Sequence, residues 1–406
     1  MTVPGIAVVG MGGFARQHHR YVAEVEQRGL GRQVAQVAMP ADQERYRDEL
    51  AALRARGIAI FASLRQMLAA ARARIDVVCV PTGIPLHRPM AVAALEAGCH
   101  VLVEKPAAGC IQDVDAMLAA ARGAGRHCAV GFQHIYQREY RLVKEWVCAG
   151  RLGAVRRVKG FGCWPRDPAY YGRNSWAGRL AVGDAWVLDA PHHNALAHAV
   201  NAMLFLACRQ PQRSLTPVAA RAELYRANAI ESADTAVMRL ATAEGTEVFF
   251  AVSHCTDRAV QPVLVLEGER GRVQLTYQGD IRAAWADGTA EEVVVQPEPA
   301  PVLQDIVEVV AGRRAALSCP LELTRAQTLC TCATFESSAI HELPRELRRI
   351  EADGRVSVAG MTEAVQRAWE ESALFSELGL EWAVPGTEVE LNGYAYFPSF
   401  RRDVGA

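Results

Sequence analysis

Short apolar runs and longer amphipathic segments alternate over the first 135 residues of the chain. The apolar runs predict strands at residues 5–9, 32–39, 75–80, 100–106 and 127–132. Apolar positions at helical spacing predict helices after residue 14 and over residues 41–56, 87–97 and 111–124. This alternation predicts a doubly wound parallel sheet with helices on both faces, an α/β domain spanning residues 1–135.

The pattern changes after residue 136. An amphipathic helix is predicted over residues 139–149, and the later apolar segments alternate as strands do. These strands are predicted at residues 155–164, 217–227, 235–242, 246–255, 262–269 and 271–279. Short turns with glycine between them indicate hairpins. We therefore predict an α+β domain over residues 136–345, with a mostly antiparallel sheet covered by helices on one face.

The remaining segment, residues 346–406, extends beyond this second pattern. Residues 360–378 predict one more helix, and residues 390–400 carry aromatic side chains that need cover. We expect this C-terminal extension to pack on the core or on a partner subunit.

Composition narrows the class of protein. The chain has 406 residues, and 22% of them are charged, which is typical of a globular protein. Its formal net charge of −1 argues against a nucleic-acid partner. No apolar stretch reaches membrane-spanning length, and the start lacks the basic region of a signal peptide. The 11 scattered cysteines predict reduced thiols in a cytoplasmic protein, and the close pair Cys330 and Cys332 lacks flanking histidines, so no metal site is expected.

Three glycines follow the first predicted strand. Gly10, Gly12 and Ala15 match the G-x-G-x-x-A fingerprint of dinucleotide-binding folds, placed between a strand and a helix. Gly10 permits a sharp turn, Gly12 allows a pyrophosphate to approach the backbone, and Ala15 lets the helix lie close to the strand. With Gly13 and Phe14, the start of the helix would present N–H groups to the phosphates.

The end of the second strand leaves NAD and NADP as alternatives. An acidic residue is expected there to bind the ribose 2′-hydroxyl, but the chain has Met39 and Pro40. Asp42 comes slightly late. Arg45 could accommodate a 2′-phosphate, although a solvated helix residue is the simpler interpretation.

A Glu-Lys-Pro motif at residues 104–106 follows the strand at residues 100–103. With the glycine fingerprint, this motif makes the chain resemble the glucose–fructose oxidoreductase, inositol dehydrogenase and MocA (Gfo/Idh/MocA) family, from Val8 to about residue 345. The other segments that carry the resemblance are residues 81–83, 94–106, 129–136 and 150–158. The resemblance implies an NAD(P)-dependent dehydrogenase that acts on a CH–OH group of a sugar, polyol or inositol-like substrate, and a homo-oligomer such as a dimer or tetramer.

The resemblance also implies site residues. Lys105 would sit beside the nicotinamide and the substrate hydroxyl, before a proline, Pro106, that is often cis in the family. Asp189 and His193 match the family's Asp-x-x-x-His, whose side chains face the substrate, and their spacing would place both on one face of a helix. Pro191 replaces the usual glycine, and His192 is an alternative to His193. The expected cofactor-binding residues are Gly10, Gly12, Gly13, Phe14, Ala15, Pro81, Thr82, His87, Glu104, Lys105 and Pro106.

A loop at residues 164–178 precedes this pair and is rich in aromatic residues, arginine and glycine. Sugars are held by aromatic faces and planar polar groups, so the loop is either a substrate-contacting loop or a packed surface loop. The substrate-binding candidates are Tyr171, Arg173, Asn174, Trp176 and His192. Asn194, His198 and Asn201 continue as a polar stripe that reaches the substrate or a partner, or is hydrogen-bonded within the core.

Two other functions use the same residues. Some members of the family cleave glycosides by transient oxidation with tightly held NAD, without net redox change. Others bind the cofactor as non-catalytic sensors, which intact Lys105, Asp189 and His193 argue against.

Overall fold

The computed structural model describes residues 3–277, 279–296 and 298–398. Its helices are α1 Ala15–Gln27, α2 Pro40–Arg45, α3 Arg47–Ala55, α4 Leu64–Ala71, α5 Ile84–Glu96, α6 Ile111–Ala124, α7 Arg138–Cys148, α8 Pro168–Gly172, α9 Ala197–Ala207, α10 Val302–Val310, α11 Leu321–Ser337 and α12 Met361–Glu371. None of the helices in the described ranges is long and apolar enough to span a membrane.

The strands fall into two large sheets and two small ribbons. They are β1 Gly5–Val9, β2 Arg32–Val37, β3 Ala59–Phe61, β4 Val77–Val80, β5 His100–Val103, β6 Cys128–Val130, β7 Val155–Cys163, β8 Ala181–Val182, β9 Ala185–Trp186, β10 Pro217–Arg226, β11 Thr235–Thr242, β12 Glu247–Ser253, β13 Val260–Gly268, β14 Gly271–Thr276, β15 Ile281–Trp285, β16 Ala290–Val293, β17 Ile340–Glu342, β18 Arg348–Ile350, β19 Val356–Val358 and β20 Val389–Glu390.

The first compact unit contains a six-stranded sheet in the order β3-β2-β1-β4-β5-β6, with every pair parallel. β1 and β4 are buried along their whole length because helices cover the sheet, as the continuous apolar runs predicted. The predicted doubly wound α/β fold is therefore confirmed. The strand order reverses its direction between β1 and β4. In such sheets, ligands bind at this point, beyond the carboxyl ends of the strands.

This first unit is not continuous in sequence. It comprises residues 1–108, 113–136 and 300–322, so a late part of the chain returns to it. In that late part, α10 packs against α1, and Asp305 accepts hydrogen bonds from the backbone N–H and the hydroxyl of Ser318 at 2.9 and 2.7 Å. Residues 300–322 therefore form part of the packing of the first unit.

The second unit contains a ten-stranded sheet in the order β16-β15-β14-β13-β7-β12-β11-β10-β17, with β20 beside β10. Most neighbours are antiparallel, but β7 pairs with β12 and β10 pairs with β17 in parallel. The predicted mostly antiparallel α+β fold is confirmed.

Both faces of this sheet are covered by the chain itself. Along β7, the Cβ position of Gly160 points at Met203 of α9, while the next residue, Phe161, packs into a cluster with residues of α12. That cluster also holds Phe249 and Phe375, both fully buried. Residues 347–383 thus contribute to the packing on the sheet face opposite α9, whereas the sequence predicted helices on one face. Farther along, β20 pairs with β10, and Phe397 contacts Trp186 and Gln112.

The C-terminal extension differs in detail from its prediction. The helix expected over residues 360–378 ends at Glu371, followed by Ser372 in a left-handed conformation at φ 52°. The aromatic segment predicted at residues 390–400 is described to Pro398, and Ser399 and Phe400 lie outside the described residues.

Candidate functional site

The glycine turn of the first unit has the backbone that its sequence predicts. Gly10 and Gly13 have positive φ values of 95° and 55°, which favour glycine. A Cβ atom on Gly12 would collide with the hydroxyl group of Tyr46. The packing of Tyr46 is thus a second reason for glycine here, beside the approach of a pyrophosphate that the fingerprint predicts.

Gln36, which was not among the predicted site residues, holds this turn in place. Its fully buried amide donates hydrogen bonds to the carbonyl oxygens of Gly10 at 2.8 Å and Val37 at 2.9 Å. Gln33 in turn donates to the side-chain oxygen of Gln36 at 3.0 Å. Two glutamines inside an apolar strand were the available signal, because buried amides need partners.

The turn fits the phosphates of a dinucleotide. α1 begins directly after it and has no side-chain cap at Phe14, so the positive end of the helix faces the turn. The strands β1, β4 and β5 are neighbours, and their carboxyl ends lead to Gly10, Pro81 and Glu104. Beyond β2, Met39 is exposed, and the guanidinium of Arg45 lies 5.5 Å from the ring centre of Tyr46.

His87 joins two of these strand ends. Its Nδ1 lies 2.9 Å from the carbonyl oxygen of Pro106, and its Nε2 lies 3.0 Å from that of Thr82. Burial lowers the pKa of His87, and the two carbonyls counteract that shift. The structure thus places His87 as a tie between the turn after β4 and the turn after β5.

The Glu-Lys-Pro motif follows β5, and the Lys105–Pro106 peptide is cis. Glu104 is buried, and its Oε1 lies 2.8 Å from Nε2 of His18 on α1. Its Oε2 accepts a hydrogen bond from the backbone N–H of Lys105 at 3.1 Å. Glu104 therefore links the helix of the glycine turn to the half-buried Lys105.

In the second unit, the expectation that Asp189 and His193 share a helix face is wrong. Residues 191–196 form turns, and α9 begins only at Ala197. Pro191 lies in these turns, and Leu188 adopts a left-handed conformation at φ 48°. The two side chains still belong to one short buried segment before the helix.

Asp189 organises the loop beside it. Its Oδ2 accepts a hydrogen bond from the backbone N–H of Gly178 at 2.6 Å, and its Oδ1 accepts one from the Asn194 amide at 2.7 Å. A guanidinium nitrogen of Arg173 lies 3.7 Å from Oδ2. These contacts connect the predicted catalytic pair to the predicted substrate loop.

His193 is fully buried and contacts α11, a helix that holds none of the predicted site residues. Its Nδ1 lies 2.9 Å from the hydroxyl of Thr331 and 3.3 Å from the amide nitrogen of Gln327. No sequence signal joins these residues to His193, because they lie 138 and 134 positions later in the chain.

His192 lies in a different environment. Its Nε2 is 2.9 Å from the hydroxyl of Thr334, and its ring packs against Phe335. Burial lowers its pKa to about 3, so the ring is neutral at ordinary pH. Farther on, the Asn201 amide is buried and has no hydrogen-bond partner among the residues that the structure describes, while His198 lies on the same helix, α9.

The predicted substrate loop is built around Tyr170. The guanidinium groups of Arg173 and Arg166 lie 3.7 and 4.4 Å from the centre of its ring. Arg173 also lies 5.1 Å from the ring centre of Trp176. The loop is thus a compact arginine and aromatic cluster, and Arg166 was not among the predicted contacts.

The other two predicted loop residues are Asn174, which hydrogen-bonds within the loop, and Tyr171, whose hydroxyl is buried. The Asn174 side chain accepts hydrogen bonds from the backbone N–H groups of Trp176 and Ala177 at 3.0 and 2.8 Å, which closes a turn. Tyr171 is largely buried, and burial raises the pKa of its hydroxyl. Within the described ranges, no group of three or more His, Cys, Asp or Glu is placed to hold a metal ion, and all 11 cysteines are free thiols.

Each of the two units matches a model of the same protein family. Residues 5–132 match the family model described as "Oxidoreductase family, NAD-binding Rossmann fold", and residues 140–274 match "GFO/IDH/MocA C-terminal domain". The chain belongs to the Gfo/Idh/MocA oxidoreductase family, as the resemblance predicted.

Curated relatives and a solved structure agree with this assignment. An inositol 2-dehydrogenase from Azotobacter vinelandii is 26% identical over 300 residues, covering 70% of this chain and 80% of that protein. A 1-carboxy-3-chloro-3,4-dihydroxycyclohexa-1,5-diene dehydrogenase from Comamonas testosteroni is 40% identical over 84 residues, 21% of each chain. The WlbA dehydrogenase from Bordetella pertussis, solved with NADH and UDP-GlcNAcA, has a TM-score of 0.67 and 22% identity, covering 82% of this chain and 96% of that one.

The length of the match varies between relatives. The chain spans 21%, 25% and 36% of the length of three curated relatives, including the Comamonas enzyme, so these matches concern only part of each protein. The structural likeness at 22% identity shows the shared fold.

Proposed function

We propose that the protein transfers hydride between NAD(P) and a secondary alcohol of a sugar, polyol or inositol-like substrate. The observation that carries the proposal is the fully buried His193, held through Nδ1 by Thr331 next to the anchored Asp189. In sequence, Asp189 and His193 match the Asp-x-x-x-His motif of the family. The relative named as an inositol 2-dehydrogenase supports the same substrate class.

The nicotinamide supplies the hydride chemistry when it is bound. In the first unit, the glycine turn and the start of α1 would hold its phosphates, and the Glu104–His18 contact would fix the strand end that carries Lys105. Lys105 would donate a hydrogen bond to the substrate oxygen and stabilise negative charge on it.

His193 would exchange the proton of the substrate hydroxyl through Nε2. The Thr331 hydroxyl is 3.3 Å from the carbonyl oxygen of Gln327 and can donate its proton there. Its oxygen then accepts a hydrogen bond from Nδ1–H of His193, which leaves Nε2 unprotonated and able to act as a base. Asp189 would stabilise the positive charge that forms on His193, and it positions the substrate loop through the backbone N–H of Gly178.

The test is nicotinamide absorbance during incubation with NAD or NADP and a panel of sugars, polyols, inositols and chromogenic glycosides. We expect absorbance to rise with a free sugar or polyol and one of the two cofactors. Release of the chromophore at constant nicotinamide absorbance would instead assign redox-cycling glycoside cleavage.

Two variants assign the roles. Lys105→Met and His193→Asn should each abolish turnover while the affinity for the cofactor, measured by fluorescence titration, stays unchanged. Arg282→Gln, at an exposed side chain of β15, is the control and should leave both properties unchanged. Cofactor binding without turnover of any substrate in the panel would contradict the proposal.

A further inference from the structure

Two arginines lie against one aromatic ring in the substrate loop. The guanidinium groups of Arg166 and Arg173 lie 4.4 and 3.7 Å from the ring centre of Tyr170. Arg166 also lies 5.4 Å from the ring centre of Trp164, before α8. Such stacking holds each guanidinium plane in a defined orientation and leaves its N–H edge for a further partner.

The two arginines of this cluster differ in their ionic partners. A guanidinium nitrogen of Arg173 lies 3.7 Å from a carboxylate oxygen of Asp189, and these two residues form an ion pair. Arg166 forms no ion pair within the part of the chain that the structure describes, and its buried Nε has no hydrogen-bond partner there. The carboxylate of the next residue, Asp167, accepts a hydrogen bond from the backbone N–H of Tyr170 instead.

The neighbouring side chains also give Arg166 no ionic partner. His254, after β12, is buried with its ring 5.8 Å from that of Tyr170, and burial together with the two arginines lowers its pKa well below the usual value. Tyr277, after β14, packs edge-on against Trp164. A neutral imidazole and a phenol do not neutralise the charge of Arg166.

The cluster also borders the residues assigned to catalysis. Arg173 contacts Asp189, whose Oδ2 binds the backbone N–H of Gly178 at the end of the same loop. An anion bound by the arginines would thus belong to the molecule that Asp189 and His193 act on.

We infer that the substrate carries an anionic group, a carboxylate or a phosphate, in addition to the hydroxyl that is oxidised, and that Arg166, with Arg173, binds this group. The inference rests on the proposed function. Arginine suits the task because its planar N–H edge matches two oxygens of a carboxylate or phosphate. The neutral polyols of the panel would then be poor substrates.

The kinetic test uses sugars that differ only at C6. D-Glucose, D-glucuronate and D-glucose 6-phosphate, and the matching D-galactose set, are compared by kcat/KM with the preferred cofactor. We expect kcat/KM to be about tenfold or more higher for an anionic member than for its neutral parent. A preference for the uronate or for the phosphate ester tells which anion is bound.

Arg166→Gln should remove this preference by lowering kcat/KM for the anionic sugars much more than for the neutral sugars. Arg166→Lys keeps the charge and should retain part of the preference. The control is again Arg282→Gln, which removes one exposed positive charge from the same unit. Equal kcat/KM for anionic and neutral sugars, or a preference that survives Arg166→Gln, would overturn the inference.

A binding measurement separates this inference from the proposed function. Titration calorimetry with D-glucuronate, D-glucose 6-phosphate and D-glucose, in the presence of NADH, requires no turnover. Binding of an anionic sugar that weakens with added salt and is lost in Arg166→Gln supports the inference even if no sugar is oxidised. Failure of both anionic sugars to bind better than D-glucose would refute it, whatever the enzyme turns over.

Discussion

The hydrogen bond between Thr331 and His193 gives the sharpest prediction for catalysis. Replacing Thr331 by valine keeps the volume of the side chain, so it leaves no cavity. It removes the hydroxyl that lies 2.9 Å from Nδ1 of a fully buried imidazole. The amide of Gln327 remains, but at 3.3 Å from Nδ1.

The size of the effect follows from burial. Leaving a buried polar group without its partner costs about 1–3 kcal/mol. The Gln327 atom near Nδ1 is an amide nitrogen, which donates hydrogen bonds and cannot replace the hydroxyl as the acceptor of Nδ1–H. If this loss falls on the protonated imidazole, about 1–3 kcal/mol lowers kcat by about 5- to 150-fold. The imidazolium also loses an acceptor for Nδ1–H, so the pKa of the base should fall and the acidic limb of the kcat profile should move to lower pH.

The assay is steady-state nicotinamide absorbance from pH 5 to 10 on the best substrate of the panel, with urea unfolding run in parallel. Thr331→Ser keeps the hydroxyl and should restore both kcat and the pH profile. Reduced stability with an unchanged kcat and an unmoved acidic limb would show that Thr331 only packs, and the assigned role of Nδ1 would be wrong.

Three further predictions concern stability and the glycine turn. Burial lowers the pKa of His192 from 6.5 to about 3 and that of His100 from 6.5 to about 4. Below pH 6.5 the unfolded chain therefore binds protons at these residues before the folded chain does, which destabilises the folded state. Urea unfolding should show full stability above pH 6.5 and a loss of stability toward pH 4, and His192→Asn should reduce that loss. Removing residues 346–406 should expose the apolar sheet face and give aggregation or self-association in size-exclusion chromatography; a stable monomer would contradict that packing. Gly12→Ala should weaken cofactor binding. If the added methyl group acts by colliding with the Tyr46 hydroxyl, the further change Tyr46→Phe should restore binding. If binding does not recover, the methyl group collides with the pyrophosphate instead.

The periodic elements could be predicted from the sequence because each carries its own pattern. Strand β1, the glycine turn and α1 are consecutive, and their apolar spacing and positive φ positions are local properties. Strand β3 and helix α4 were missed. β3 has three half-buried residues, and its short run gives too few positions to show an alternation.

The candidate site was only partly predictable, because its remaining contacts join distant parts of the chain. Asp189 and His193 were found through a motif, but the turn that holds them could not be seen, since a spacing of four suits a helix and a pair of turns equally. Thr331 lies 138 residues after its partner, and only the fold brings the two together. Arg166 stood in the predicted loop, but only the stacking on Tyr170 distinguishes it from a surface arginine.

The return of residues 300–322 to the first unit bears on how the protein is made. A ribosome releases the glycine turn and all six strands of the parallel sheet early, yet α10, which packs on α1, emerges only after most of the second unit. Domains normally fold as units during synthesis. The nucleotide-binding unit therefore remains incompletely folded until α10 is synthesised, and the surface of α1 that α10 covers stays exposed until then. For the same reason, a fragment cut at residue 136 would lack part of its own packing, and a fragment meant to fold as this unit should carry residues 300–322 as well.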